Sequence, residues 1–463
     1  HCHAERSEAS ITISAGGSLL CNGGTVTYST AVINGAVECG ADIGITWTGA
    51  TGDGLWSTAG NWTNNVVPGA TDIALFNALC VGANCNVTID SSISVKGIRL
   101  LGAYTGTMTQ NAGSAVTIGS SGYQQAGGTF TGGNSPISIA GTFELVGGTF
   151  TSTSGTLSVA VTSTAATPVP LFTQSAGTFN HSSGLVALNP HTTQASPLVT
   201  FTIAVTPGTT FHNLSIDGSS ATVADDAVLV NVPSGTLTVD GTLTHTNGQI
   251  GGQWKLNGHL VVASDAKGGT GTLSIEGAAA QTYTSVAAGI TPPLTINKSA
   301  GSFSPFAGTV DLSARSLSIV QGTFVAPSGN LKLIQSNSTG GPYSLLSISG
   351  GTFSHGSGTV VLNGKTPNAT GLLSYQIAAA IPLTLNNLNI DGQSATASDD
   401  AVIHSVSSGT VTIDGVLTQT NGQMGGAWVL NGNLTVGTLA KGGTGTITFS
   451  SAAAQTYSST GVG

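Results

Sequence analysis

GTLTVDGTLTHTNGQIGGQWKLNG at residues 235–258 and GTVTIDGVLTQTNGQMGGAWVLNG at residues 409–432 are two versions of one sentence. In each, Val, Leu, Ile and Trp alternate with Thr, Gln and Lys, and every short run stops at Gly, Asn or Asp. That is the period of a strand with one buried face, closed by turn residues. The echo extends well beyond these lines. Asp217 recurs as Asp391, Trp254 as Trp428 and Tyr283 as Tyr457, and the same offset relates Phe150 to Phe324 and His181 to His355. From about residue 140 the second copy follows without a gap to Gly463, the counterpart of Gly289.

A long period that never slips points to stacked units sharing one geometry. Shorter strings inside it, LTVDG, WKLNG and TLSIEG, predict coils of about 20 residues. Eight such coils would make each copy about 40 Å long at ~4.8 Å per strand layer. The two copies also differ informatively. Leu237 and Val411, Val239 and Ile413, and Ile250 and Met424 are exchanges of similar volume, as a core requires. His245 and Gln419, Gln253 and Ala427, and Lys255 and Val429 change chemistry and are expected in solvent.

The composition agrees. Only 6% of the 463 residues are charged and 67 are Gly, yet Val, Ile and Leu are plentiful and regularly spaced, so the expectation is a packed all-β chain rather than disorder. Net charge is −9, and the 10 Lys and Arg are scattered singly, so no basic stripe for nucleic acid can be assembled. No run of 18 apolar residues predicts a membrane-spanning helix. The chain opens at His1, as after removal of a leader or in a fragment.

All five cysteines lie at or before Cys85. CVGANC predicts a Cys80–Cys85 bridge, and Cys21 and Cys39 are placed to close a hairpin, leaving Cys2 unpaired or free to bridge between chains. Disulfides are favoured over zinc because no CxxC knuckle is present, and they imply an oxidising, extracytoplasmic compartment.

FHNLSIDG, GTLTVDGTLTHTNGQ and WKLNGHLVV resemble the strand repeats of large bacterial surface proteins. These are the autotransporter passenger domains and filamentous-haemagglutinin-like adhesins. TWTGATGDGLWSTAGNW, with Trp47, Trp56 and Trp62, is similar to the segment that opens such repeats. The resemblance covers most of residues 46–463 and implies a right-handed parallel β-solenoid. The expected organisation is an amino-terminal segment (1–45) serving as inter-subunit strand or cap, a Trp-rich entry (46–115), a first repeat (116–289) and a second, incomplete one (290–463).

Candidate chemistry is sparse. Polysaccharide lyases and hydrolases need convergent carboxylates. Asp225-Asp226 and Asp399-Asp400 are the best pairs, but neighbours on a strand point to opposite faces. KGGTGTLS at 267–274 has the glycines of a calcium roll without its Asp. Asp53 and Asp72 are calcium candidates that turn chemistry explains equally. Trp254 and Trp428, once per repeat, would stack on sugars if exposed and close corners if buried. No cofactor is called for.

The sequence therefore predicts a secreted, non-enzymatic surface protein. The first expectation is a structural subunit that stacks head to tail on copies of itself into an extracellular filament. The second is the stalk of an adhesin that binds glycans or other cell-surface components, and a carbohydrate-active enzyme comes last. Residues 440–463 carry one charge and no capping helix, which fits an edge covered by another subunit.

Overall fold

The computed structural model describes residues 44–460 except 207, 222–226, 287, 370 and 396–400, together with the backbone of four strands, Ser10–Ile13, Ser18–Asn22, Thr30–Ile33 and Ala36–Gly40. The described residues form strands and three short 3-10 turns, with no α-helix. Every ladder whose register is described is parallel; the one antiparallel contact is an isolated bridge between Trp47 and Trp62. Parallel neighbours need a crossover between them, which is why each strand pairs with one well downstream rather than across a tight hairpin.

Alternation sets the faces. In Leu373–Ala379 (LSYQIAA) every second side chain, Leu373, Tyr375, Ile377 and Ala379, is buried, and the residues between face outward. The chain divides into two compact units, His1–Gly155 with Ala176–Thr178, and Thr156–Ser175 with Phe179–Gly463. The first unit therefore ends inside the first repeat.

In the first unit, Ile73–Phe76 pairs with Ile93–Leu100, which pairs with Val116–Gln125. A second sheet runs through Val87–Ile89, Thr107–Gln110, Thr129–Thr131 and Thr149–Thr151. Trp47, Trp56 and Trp62 close on Phe76 with ring centroids 4.7 to 6.2 Å apart. These edge and stacked contacts give a unit poor in aromatics a dense plug. The Cys80–Cys85 disulfide lies against it: Trp47 donates its indole N–H to the Asn84 carbonyl at 2.9 Å, and the Tyr104 hydroxyl donates to the Cys85 carbonyl at 2.6 Å.

In the second unit the repeat becomes a repeat of register. Leu214 pairs with Leu243, Leu243 with Leu260 and Leu260 with Tyr283, three steps of unequal length. Their counterparts Leu388, Leu417, Leu434 and Tyr457 pair with the same three steps. A coil of uniform length is thus not the building unit. Loops of different length separate strands that all stack at one spacing, and the long block is what recurs.

The volume-conserving pairs sit where expected, with Leu237, Val239 and Ile250 and their counterparts all buried. His245 corrects the sequence reading: it and Gln419 are buried, not solvated. His245 lies two residues from inward-facing Leu243, so strand alternation carries it inward whatever its polarity. Gln253 and Ala427 are exposed and Lys255 half-exposed, as their places on the outer face require.

Candidate functional site

Asp53 sits in the Trp-rich segment, where its carboxylate accepts from the Thr58 hydroxyl at 2.7 Å, the Leu55 amide at 3.1 Å, the Asn61 amide at 2.5 Å and the Thr51 hydroxyl at 2.9 Å. These donors, Thr58 first, hold it well below the usual carboxylate range. Its lone pairs are spent on the turn. Asp72 accepts from the Gly69 amide at 2.9 Å, and among the described residues no three His, Cys, Asp or Glu side chains gather where a metal could sit. Asp225, Asp226, Asp399 and Asp400 lie outside the described residues, as do His1 and Cys2.

The histidines serve the backbone. His181 Nδ1 accepts from the Ser183 amide at 3.0 Å, His355 from Ser357 at 3.2 Å and His259 from Thr282 at 3.1 Å. An Nδ1 that accepts leaves the proton of a neutral ring on Nε2, which closes that nitrogen to a metal as well. His181 and His212 stack at 5.5 Å, and burial, then His212, lower the His181 pKa.

Trp254 and Trp428 are fully buried, each donating its indole N–H three residues back, to Gly251 at 2.8 Å and Gly425 at 2.9 Å. Neither offers a ring to a sugar; both close corners. Cys21 and Cys39 are register partners in parallel strands, so a hairpin does not join them, and their side chains lie outside the described residues.

The side chains that sequence reasoning passed over are polar ones binding layer to layer. Gln281 donates to the Leu256 and Gly258 carbonyls at 3.1 and 2.6 Å, and Gln455 repeats both bonds on Leu430 and Gly432 at 3.0 and 2.7 Å. Asp240 accepts from Asn257 at 2.7 Å, and Asp414 from Asn431 at 2.8 Å. Asn213 caps Thr242 at 2.9 Å as Asn387 caps Val416 at 2.8 Å. His259 and Asn433 differ in chemistry yet accept from the same place, the amides of Thr282 and Thr456. For Asp240 and Asn257 the signal was available: both are polar, shared by both copies and followed by Gly.

Thr446–Phe449 and Tyr457–Ser459 are the last described strands of the second copy. Thr446–Phe449 pairs with Ala427–Leu430, and Tyr457–Ser459 with Leu434–Val436, and no further described strand lies beyond them. Their counterparts are covered: Leu273 and Ile275 pair with Leu294 and Ile296, and Tyr283 with Pro305. The difference shows as exposure. Ile275 and Tyr283 are both 0% exposed, whereas Phe449 is 49% and Tyr457 65% exposed.

No protein-family model, no curated protein and no solved structure matches this chain. The geometry alone carries the functional reading.

Proposed function

We propose that the chain is a secreted, non-enzymatic structural protein, a right-handed parallel β-solenoid that stacks head to tail on copies of itself into a cell-surface filament. The repeat of register carries this reading: the parallel steps from Leu214 to Leu243, Leu260 and Tyr283 recur from Leu388 to Leu417, Leu434 and Tyr457, so successive blocks share one stacking geometry. A joint that continues such a stack from one copy to the next is heterologous and does not close, so it grows. The Cys80–Cys85 bridge fits an oxidising location. No described helix is long and apolar enough to cross a membrane.

Electron microscopy of the non-reduced chain over a range of concentrations tests the proposal. Fibres that lengthen with concentration support it. Particles of one size at every concentration would overturn it in favour of the adhesin stalk.

A further inference from the structure

The outer face of the first unit's second sheet carries threonines in two straight ranks. Thr107, Thr129 and Thr149 are register partners, as are Thr109, Thr131 and Thr151, and Thr88 extends the second rank by one strand. Between the ranks, Met108, Phe130 and Phe150 point inward and are buried. The Phe130 and Phe150 rings stack at 4.7 Å with planes 8° apart, which fixes the interval between strands from beneath. Along a strand the two threonines are about 6.6 Å apart. The result is a two-dimensional lattice of hydroxyl and methyl groups.

Its surroundings carry little charge: two residues beyond Thr88, Asp90 accepts from the Ser57 amide and hydroxyl at 3.1 and 2.5 Å. Gly106, Gly127-Gly128 and Gly147-Gly148 precede the three Thr-x-Thr strands, and Gly132-Gly133 follows the middle one. No side chain taller than threonine rises from those glycines. Glu144 is the sole Asp, Glu, Lys or Arg between Arg99 and Asp217. Repetition does not explain the array, because the counterpart of Thr149-Phe150-Thr151 is Thr323-Phe324-Val325 and that of Thr129 is Phe303.

We propose that this face binds ice. A crystal face of water is a ligand with no charge, no pocket and a two-dimensional repeat, and its oxygen rows are spaced on the scale of these two intervals. Thr107, Thr109, Thr129, Thr131 and Thr149 each offer a hydroxyl to the lattice, and the methyls of the array leave neighbouring water ordered around them. Single contacts of this kind are weak, so a rigid, flat surface must make many at once, and the ring stack beneath supplies that rigidity.

The test is slow growth of an ice ball from a solution of the intact chain, comparing protein in ice with protein in the liquid. Incorporation is expected for the parent, with loss to the level of an ordinary excluded protein in Thr131→Lys and in Thr129→Tyr. Thr117→Lys, on an exposed position of a different sheet, should leave incorporation unchanged. Near-ultraviolet circular dichroism of the Trp cluster shows which variants are folded, and the array is judged on those. Exclusion of the parent from ice would overturn the proposal. So would equal incorporation of parent and folded array variants, or equal loss in Thr117→Lys.

Discussion

At the scale of single residues, substitutions between the two copies are compensated rather than random. His245 Nε2 lies 2.9 Å from the Gly248 carbonyl, and Gln419 Nε2 donates to the Gly422 carbonyl at 2.8 Å, so two side chains of different type satisfy one corner. His404 accepts from the Gly364 amide at 3.1 Å. In the first copy these positions hold Val230 and Pro190, where the proline has no amide hydrogen and no acceptor is needed. Burial pushes the His245 pKa down to about 4 and the His404 pKa down to about 3. The unfolded chain takes up protons as pH falls below the ordinary value of 6.5, while the folded chain holds these rings neutral. Stability should therefore fall between pH 6.5 and 4, with His404 extending the loss to about pH 3. His245→Gln should change stability at neutral pH by less than about 1 kcal/mol. It should also remove part of the acid slope, both read from denaturant unfolding across pH. An unchanged slope would show that His245 is protonated in the fold.

At the scale of the strand and its neighbours, backbone ladders set the spacing and buried polar side chains lock the corners. Lys298 is the extreme case. Its ammonium is buried, with burial lowering its pKa, and it donates to the Ala279 carbonyl at 2.8 Å, the Gly277 carbonyl at 3.3 Å and the Gln281 side-chain oxygen. Gln281 in turn holds two carbonyls of the preceding layer. Gln281→Leu strips an acceptor from a buried cation and two donors from buried carbonyls, a loss of about 3 kcal/mol or more. Gln253→Ala, on the outer face where the second copy already has Ala427, should cost under about 0.5 kcal/mol. Both losses are read from denaturant unfolding, and equal effects would mean the corner bonds add nothing to the ladders. Strand existence was legible here from alternation, and facing too except where, as at His245 and Gln419, polarity was weighed above it. The unequal steps from Leu214 to Leu243, Leu260 and Tyr283 were not, because loop length is invisible to a period of two.

At the scale of the whole molecule, the two units draw on different means. The first has a tryptophan plug and a disulfide beside it; the second has its register repeated from one copy to the next. Cys80→Ser with Cys85→Ser removes a short loop closure worth about 2 kcal/mol. The loss should register in the fluorescence of Trp47, Trp56 and Trp62, read in a Trp254→Phe, Trp428→Phe background. An unshifted transition would mean that the loop does not support the plug. By itself the sequence determined an all-β chain, its repeat, its apolar core positions and the Cys80–Cys85 pairing. These follow from local rules: alternation, turn residues and short loop closure, each read within a short window of chain. Only the tertiary structure decided that Trp254, His245, Gln281 and Lys298 are interior, that Asp53 is saturated by its own turn, and that threonines from separate strands fall into two ranks. For Asp53 the donors all lie within eight residues, and for His245 and Trp254 alternation overrides polarity and ring size. The threonine ranks and the partners of Gln281 and Lys298 depend on which strand lies beside which, and that is set by crossovers of unequal length that no local pattern records.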